Sequence, residues 1–548
     1  MSMQISFLGG LGEIGMNMYV YETETTAIIV DCGVMFADLS LPGVDYIIPD
    51  FSYIVSIKDK IKGIVATHGH EDHIGGISYL LKNFNVPIYG GKLTLNLLKH
   101  KLTEEKLKAT LKEISDMDCI VIDDISISFL QINHSIPDTF CIKIKSKKNT
   151  FIHLSDFKID KTPISQKPFS EERVVKFLEN EKVTGILIDS TSCQRVGVSP
   201  SEKSVYEDLY KIISDASGRV FFTTFSSNID RISQVLDICE KLKRKVVIEG
   251  RSITKNINIA TQLGYLKYNP ENIIRLNDAK KYDDNKLCFI ISGCQGEVNS
   301  TLYKIVSRER NSLQVKKGDL FIISSRVIPG NEKNLAKAIN HIFYYEAEVV
   351  DIEKENIHVS GHAYREDVKI ITSLTSPKYF IPIHGEYTHL RKNIQNITED
   401  LNFSQSNCIF VENGKKITFD NNQDLVSFSD IPFGKTYIDT RGGFIFGEDE
   451  LKIRKNMARD GVFFINYFFK ENNFNIKELN AIGFSLTDEL QYYIKKQIND
   501  NISLLIESSL SGEFQFDEIL TKFIKKIFKK RFDRRPEIKV IKDGFNIL

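Results

Sequence analysis

At 548 residues the chain is too long for one hydrophobic core, and roughly two or three domains are expected. A hydrophobic fraction of 42% and a charged fraction of 26% are those of a soluble globular protein, and no run approaches the roughly 20 apolar residues of a membrane span. Basic and acidic residues balance at 72 each, so no global field marks a polyanion binder; such a substrate would be held by a local channel or by metals.

The first residues, MSMQISFLGGLGEIG, lack the basic and apolar regions of a secretory signal. Eight cysteines are scattered with no C-x-x-C pair, which fits reduced thiols in the cytoplasm. From residue 3 to about 156 the pattern is strand-rich: ISFLGG, MNMYVYE, TAIIVDCG, GIVATH, VPIYG, ISISFLQINH, FCIKIKS and TFIHLSD are bounded by Gly, Asp or Asn. The run Gly10-Leu11-Gly12-Glu13-Ile14-Gly15 satisfies G-x-G-x-x-G, but the dinucleotide fingerprint needs a helix next. Here MNMYVYETE reads as a strand, so the glycines form a tight turn. Helical stretches are expected at GGISYLLKNF and around 94–114, and a further strand, GILIDST, ends at Asp189.

Near residue 200 the pattern changes. VYEDLYKIISDAS, RVFFTTF, NIDRISQVLDICEKL, KVVIEG, SITKNINIATQLG, LCFIISGC, STLYKIVS, DLFIISSR and EKNLAKAINHIFYYEA alternate helix and strand. Nearly continuous apolar strands in such an alternation imply a parallel sheet covered on both faces, an inserted domain. The end of the chain mixes short strands and amphipathic helices. In Lys522-Phe523-Ile524-Lys525-Lys526-Ile527-Phe528-Lys529-Lys530-Arg531 the apolar residues fall at helical spacing, so this is an amphipathic helix with a solvated basic face rather than an RNA-binding run.

The strongest chemical signal is ATHGHEDHIGG, after the strand GIVAT and before a helix expected to start near Gly75-Gly76. His68 and His70, two apart on a loop, can face one metal, and Asp72 and His73 can turn to a second. With 11 histidines in the whole chain, H-x-H-x-D-H outweighs the reading of a polar loop whose histidines merely pack. His134, Asp156 and His384 each close an apolar run before a loop and are further candidate ligands. Asp31, ending AIIVDCG, is a candidate carboxylate to orient a ligand imidazole or the metal water. His100, His153, His341 and His389 fall outside this pattern and read as ordinary residues.

These residues resemble the metallo-β-lactamase superfamily, and the later segments resemble the ribonuclease J family of its β-CASP branch. LGGLGEIGMN, THGHEDHIGG, NHSIPD, SDFKID, DSTSCQRVGVSPSE, FSSNIDRI, EGRSITKN, GCQGE, IPGNEKN, HVSGHA and PKYFIPIHGEY follow in order over nearly the whole chain. The resemblance implies an α/β fold: an αββα sandwich over 1–198 and 353–432, an inserted β-CASP domain over 199–352, and a C-terminal α/β domain over 440–548 that serves assembly. It implies two zinc ions per chain, with manganese as the alternative. One would be held by His68, His70 and His134, the other by Asp72, His73 and His384, with Asp156 bridging. It further implies an Asp189–His362 pair near the scissile phosphate and a phosphate-binding loop with His358, Ser360, Gly361 and His362. Two departures stand out: Leu154-Ser155-Asp156 replaces the family's TGD, and Gly293-Cys294-Gln295-Gly296-Glu297 its GSQGE.

The expected activity is hydrolysis of single-stranded RNA through a hydroxide activated by the two ions, 5′-to-3′ exonucleolytic and also endonucleolytic, in RNA maturation and mRNA decay. Asp72 would serve the metals, and His362, held by Asp189, would protonate the leaving 3′-oxygen. A homodimer or homotetramer and partners in an RNA-degradation complex are expected from the resemblance alone. A β-CASP DNA nuclease shares the phosphate chemistry. A glyoxalase-type esterase or thioesterase would need neither the inserted domain nor HVSGHA. A non-catalytic RNA-binding scaffold would be expected to have lost ligands, and none is missing.

Overall fold

The computed structural model describes residues 2–543 except 39, 298, 310–312, 329, 472 and 512–514. Residue 329 of IPGNEKN and residues 544–548 of the expected C-terminal domain therefore lie outside the described residues. The chain forms two compact units, one of Met1–Phe36 with Ile48–Gly434 and one of Ala37–Ile47 with Lys435–Leu548.

Two sheets face each other in the first unit. Among the described residues one is eight-stranded, in the order Leu425–Asp430, Lys415–Phe419, Met3–Gly9, Met18–Glu22, Ala27–Val30, Ile61–Val65, Ile88–Gly90, Leu111–Glu113. The other is six-stranded: Tyr379–Ile383, Gly185–Asp189, Asn149–Leu154, Thr139–Ser146, Ile125–Ile132, Cys119–Ile122. Successive side chains of a strand point to opposite faces, and strands such as Ala27–Val30, Gly185–Asp189 and Tyr379–Ile383 are buried on both, which is why they are apolar almost throughout. In the six-stranded sheet Ile127, Phe129, Ile142, Phe151, Leu187 and Ile381 point to the shared core with Phe7, Tyr21 and Val30. Their neighbours Leu130, Ile152, Ile186 and Phe380 point the other way, under the helices Glu171–Leu178, Arg365–Thr375 and Tyr387–Leu401. Helix Lys92–Glu104 and its neighbours cover the outer face of the eight-stranded sheet. The layers are thus αββα.

The expected inserted domain is a parallel five-stranded sheet ordered Lys245–Glu249, Leu287–Ile291, Val220–Thr223, Leu320–Ile323, Glu348–Val350. Val220, Phe222, Cys288 and Ile290 pack on one face, and Phe221, Phe289 and Phe321 stack on the other at 4.5–4.7 Å between ring centroids. In the second unit, helices Asp488–Ser511 and Phe516–Phe532 cover a three-stranded sheet of Asn473–Ile482, Val462–Lys470 and Glu537–Lys542. Leu520, Ile524, Ile527 and Phe528 form the buried stripe of the second helix, and its lysines are exposed. No helix among the described residues is long and apolar enough to cross a membrane.

Candidate metal centre

Parallel neighbours bring strand ends into a row. Leu154 pairs with Ile188, and Asp189 with Ile383, so Asp156, Asp189 and His384 emerge side by side. His134 follows the antiparallel strand Ile125–Ile132 at the same rim, and ATHGHEDH leaves the opposite sheet at Val65. The helix expected after Gly75-Gly76 is Ile77–Leu80, with Gly76 at its N-cap. A short turn of helix, Glu71–Ile74, precedes it, so Asp72 and His73 lie in that turn and Gly75 ends it. The turn of Gly10 to Gly15 supports the loop of His384: Gly12 N–H donates to Gly385 C=O at 2.9 Å. Gly12 has φ +75°, and a Cβ there would lie 2.5 Å from the Tyr387 ring. Met18–Glu22 follows as a strand, as the tight-turn reading requires.

The candidate ligands converge in two groups that share Asp156. Atoms of His68, His70, His134 and Asp156 lie within 4.8 Å of one another, as do those of Asp72, His73, Asp156 and His384. Asp156 Oδ2 is 3.3 Å from His134 Nε2 and 3.6 Å from His68 Nε2, whereas Oδ1 is 3.2 Å from His73 Nε2 and 3.3 Å from His384 Nδ1. Each carboxylate oxygen therefore faces one group.

The outer atoms of the imidazoles fix their protons. Asp31 accepts from Thr67 N–H, Thr67 hydroxyl and His73 Nδ1, each at 2.8 Å. Because the Thr67 hydroxyl donates to Asp31, its oxygen accepts from His68 Nδ1 at 3.0 Å. His134 Nδ1 donates to Gly361 C=O at 2.7 Å. His68 and His134 in neutral form thus turn Nε2 lone pairs inward, 3.0 and 3.1 Å from His70 Nδ1. With His70 neutral, these three nitrogens hold at most one proton, on His70 Nδ1, so a single N–H has two acceptors to serve. A cation that accepts all three lone pairs satisfies them together, and imidazole with carboxylate is a divalent-metal donor set. The residues present fit the group.

The electrostatics agree. Burial lowers His68 and His134, and brings His70 down to about 4. Burial opposes charge on His73 and His384 too, but Asp156 and the carboxylates beside it outweigh that, raising His73 and taking His384 to about 10. The carboxylates thus draw positive charge into the pocket. Asp31 is pushed up by burial, against the pull of His73. Both Asp31 and His384 have positive φ, +59° and +51°.

Asp189 and His362 meet at the edge of this cluster. His362 Nδ1 is 2.8 Å from Asp189 Oδ2 and 3.9 Å from Asp156 Oδ2. Burial disfavours the imidazolium, yet Asp189 and Asp156 outweigh it and raise His362. Asp189 itself is brought down to about 2: burial would raise it, and His362 prevails. Ser360 hydroxyl lies 3.1 Å from Ser192 hydroxyl and accepts from His362 N–H. His358 is partly buried with Nδ1 unpaired, and burial lowers it to about 3.

Several participants carry no strong sequence signal: Thr67, Thr191, whose hydroxyl takes His384 Nδ1 at 2.8 Å, and Asn17, 3.2 Å from His73 Nε2. Thr67 and Thr191 lie one and two residues from His68 and Asp189, and that adjacency is the signal that could have found them. Of the histidines set apart, His153 lies between Tyr19 and Tyr21 in the core and His100 is paired with Glu104 on the surface. Ser155, where the sequence departs from TGD, puts its hydroxyl 3.4 Å from His73 Nδ1. Cys294 is buried, so the second departure is a change inside the inserted domain.

Family models match three stretches: "Metallo-beta-lactamase superfamily" over 11–130, "Ribonuclease J, beta-CASP domain" over 217–342 and "Zn-dependent metallo-hydrolase RNA specificity domain" over 349–404. The chain is 36% identical to Ribonuclease J of Helicobacter pylori (strain B128) over 550 positions, covering 98% of this chain and 79% of that protein. It is 35% identical to Ribonuclease J of Thermus thermophilus, covering 97% and 93%, and 33% identical to Ribonuclease J2 of Bacillus subtilis, covering 85% and 83%. A solved structure titled "Crystal Structure of a Protein of Unknown Function from Enterococcus faecalis V583" matches with TM-score 0.54 and 17% identity over 76% of this chain and all of that one, a likeness of fold.

Proposed function

The chain belongs to the ribonuclease J family and is a metal-dependent ribonuclease, and on that premise we propose that it works with two zinc ions, held by His68, His70 and His134 and by Asp72, His73 and His384, with Asp156 between. The observation that carries this reading is the split of the Asp156 carboxylate, one oxygen toward each imidazole group. When bound, the ions supply Lewis acidity toward the phosphate and activate water at neutral pH; manganese is the alternative metal.

The residues around them prepare the remaining chemistry. Asp31 and Thr67 hold His73 and His68 in the tautomers that leave Nε2 without a proton. Asp189 keeps the proton of His362 on Nδ1 and favours the imidazolium, the state a general acid needs to protonate the leaving 3′-oxygen and leave a 5′-phosphate behind. The loop of His358, Ser360, Gly361 and His362 is proposed to seat the phosphate. Its site in the protein supports this, since Gly361 C=O touches His134 while His362 touches Asp189. The activity proposed is 5′-to-3′ exonucleolytic and endonucleolytic on single-stranded RNA. The domains are proposed as 1–198 with 353–432, 199–352 and 440–548, in a cytoplasmic dimer or tetramer whose eight thiols are free.

The test uses the full chain and its Asp72→Ala variant on RNA labelled at either end, 5′-monophosphorylated or 5′-triphosphorylated, with matching DNA. Labelled mononucleotide released from the 5′ end by the wild type alone is the expected result. Cleavage of DNA and not RNA, or undiminished activity of the variant, overturns it.

A further inference from the structure

His134 follows a strand that ends at Ile132, and its backbone groups have no sheet partner. One side chain serves both. Gln166 Oε1 accepts from His134 N–H at 3.3 Å, and Gln166 Nε2 donates to His134 C=O at 2.7 Å. Gln166 lies in the loop between Asp160 and the helix Glu171–Leu178, and Pro163 and Pro168 on either side of it restrict that loop. The loop is tied to the same strand end by Asn133, whose amide donates to Lys167 C=O at 2.8 Å.

The second hydrogen of Gln166 Nε2 goes elsewhere. It reaches Asp230 Oδ2 at 3.3 Å, and Ser165 hydroxyl donates to Asp230 Oδ1. Asp230 is buried and belongs to the first turn of Ile229–Lys241, a helix of the inserted domain. Both oxygens of this carboxylate are thus spent on two consecutive residues of the loop that grips His134. Asp230 touches no candidate ligand, yet it is one side chain away from the backbone of one.

We propose that Gln166 and Asp230 are positioning residues that make the seating of His134 depend on the seating of the inserted domain, so that the metal group of His68, His70 and His134 is held tightly only when that domain is docked. This rests on the reading of His134 as a ligand. A ligand whose backbone amide and carbonyl are both held loses little freedom on binding metal. Released from Gln166, the loop of His134 has a buried N–H and C=O to satisfy by moving, and the imidazole moves with it. Outer partners of metal ligands are worth roughly 10- to 100-fold in affinity.

The experiment is a Zn2+ competition titration against a chromogenic chelator, with zinc stoichiometry, on the metal-stripped full chain. Gln166→Leu and Asp230→Ala should weaken one of two zinc sites by roughly 10- to 100-fold and leave the other unchanged. Asp230→Asn should bind like the wild type: its amide oxygen still accepts from Gln166, and its NH2 can donate to the Ser165 oxygen. That rescue separates positioning from general damage, because a loss of fold would weaken both sites and lower the melting temperature of the stripped chain. His134→Ala should abolish the same site. If it does while Gln166→Leu and Asp230→Ala both bind as the wild type does, the coupling is overturned and the ligand reading stands. If the wild type binds no zinc, the ligand reading falls and the coupling with it.

Discussion

Replacing Asp31 by Asn probes how the protein fixes a tautomer. The swap keeps shape and keeps a residue type that tolerates φ near +59°. It leaves only one oxygen for three donors at 2.8 Å. With the amide oxygen toward His73 and the Thr67 hydroxyl, NH2 meets the Thr67 backbone N–H. With the amide reversed, NH2 meets His73 Nδ1 and drives its proton to Nε2, the nitrogen 3.2 Å from Asp156. Either way one charge-assisted bond in a buried site is lost, worth about 1.5–3 kcal/mol. At about 1.4 kcal/mol per tenfold, that predicts zinc binding weaker by roughly 10- to 100-fold at the group of Asp72, His73 and His384. The assay is zinc titration of the stripped protein, with thermal melting to show that the fold persists. A folded Asp31→Asn protein that binds two zinc ions at wild-type affinity would refute the tautomer argument.

His362→Ala should keep its metals and slow the chemical step by roughly 10²- to 10⁴-fold, read by metal analysis beside single-turnover cleavage of end-labelled RNA; an unchanged rate removes His362 from the general-acid role. At Gly33 a Cβ would fall 1.7 Å from the carbonyl oxygen of Asp72. Gly33→Ala should therefore displace the helix of Asp72 and His73, costing about 1–3 kcal/mol and zinc at that group, and wild-type melting and metal content would contradict this. Asp230 is raised from 3.8 to about 6, chiefly by burial. The folded chain therefore keeps a proton that the unfolded chain releases, and the associated stability is complete below about pH 3.8 and lost as pH rises through about 6. The loss reaches about 3 kcal/mol by pH 7, so hydrogen exchange in Ile229–Lys241, corrected for intrinsic rates, should show opening that grows easier from pH 5 to 7 in the wild type but not in Asp230→Asn. Identical pH dependence in the two proteins counts against it.

The fold was legible because its strands are short apolar runs with clear stops, and because the alternation after residue 200 has no simpler solution than a parallel sheet covered on both faces. Placing His134, Asp156 and His384 at strand ends also needs only local pattern; that these ends meet at one rim comes from pairings such as Asp189 with Ile383, which no local pattern states. The helix after Gly75-Gly76 was legible because the glycine pair marks a boundary, and Gly76 caps Ile77–Leu80. The turn Glu71–Ile74 before it was not, because four residues are too few to show a helical period. Asn17, Thr191 and Gln166 stayed silent for a different reason. Their partners are His73, His384 and His134, at separations of 56, 193 and 32 residues, and amides and hydroxyls are too common to stand out before the chain is folded.

The pocket also has an order of assembly. His68 through Asp189 leave the ribosome before the inserted domain, and His362 and His384 only after it. Domains fold as they emerge, but this pocket closes over separations of 195 residues, from Asp189 to His384, and 311, from His73 to His384. A nascent chain halted anywhere before residue 384 holds an incomplete set of groups, however well its first sheet has formed. On the proposed assignment, an RNA-cutting enzyme built in this order cannot complete its own site while its message is read as far as residue 383.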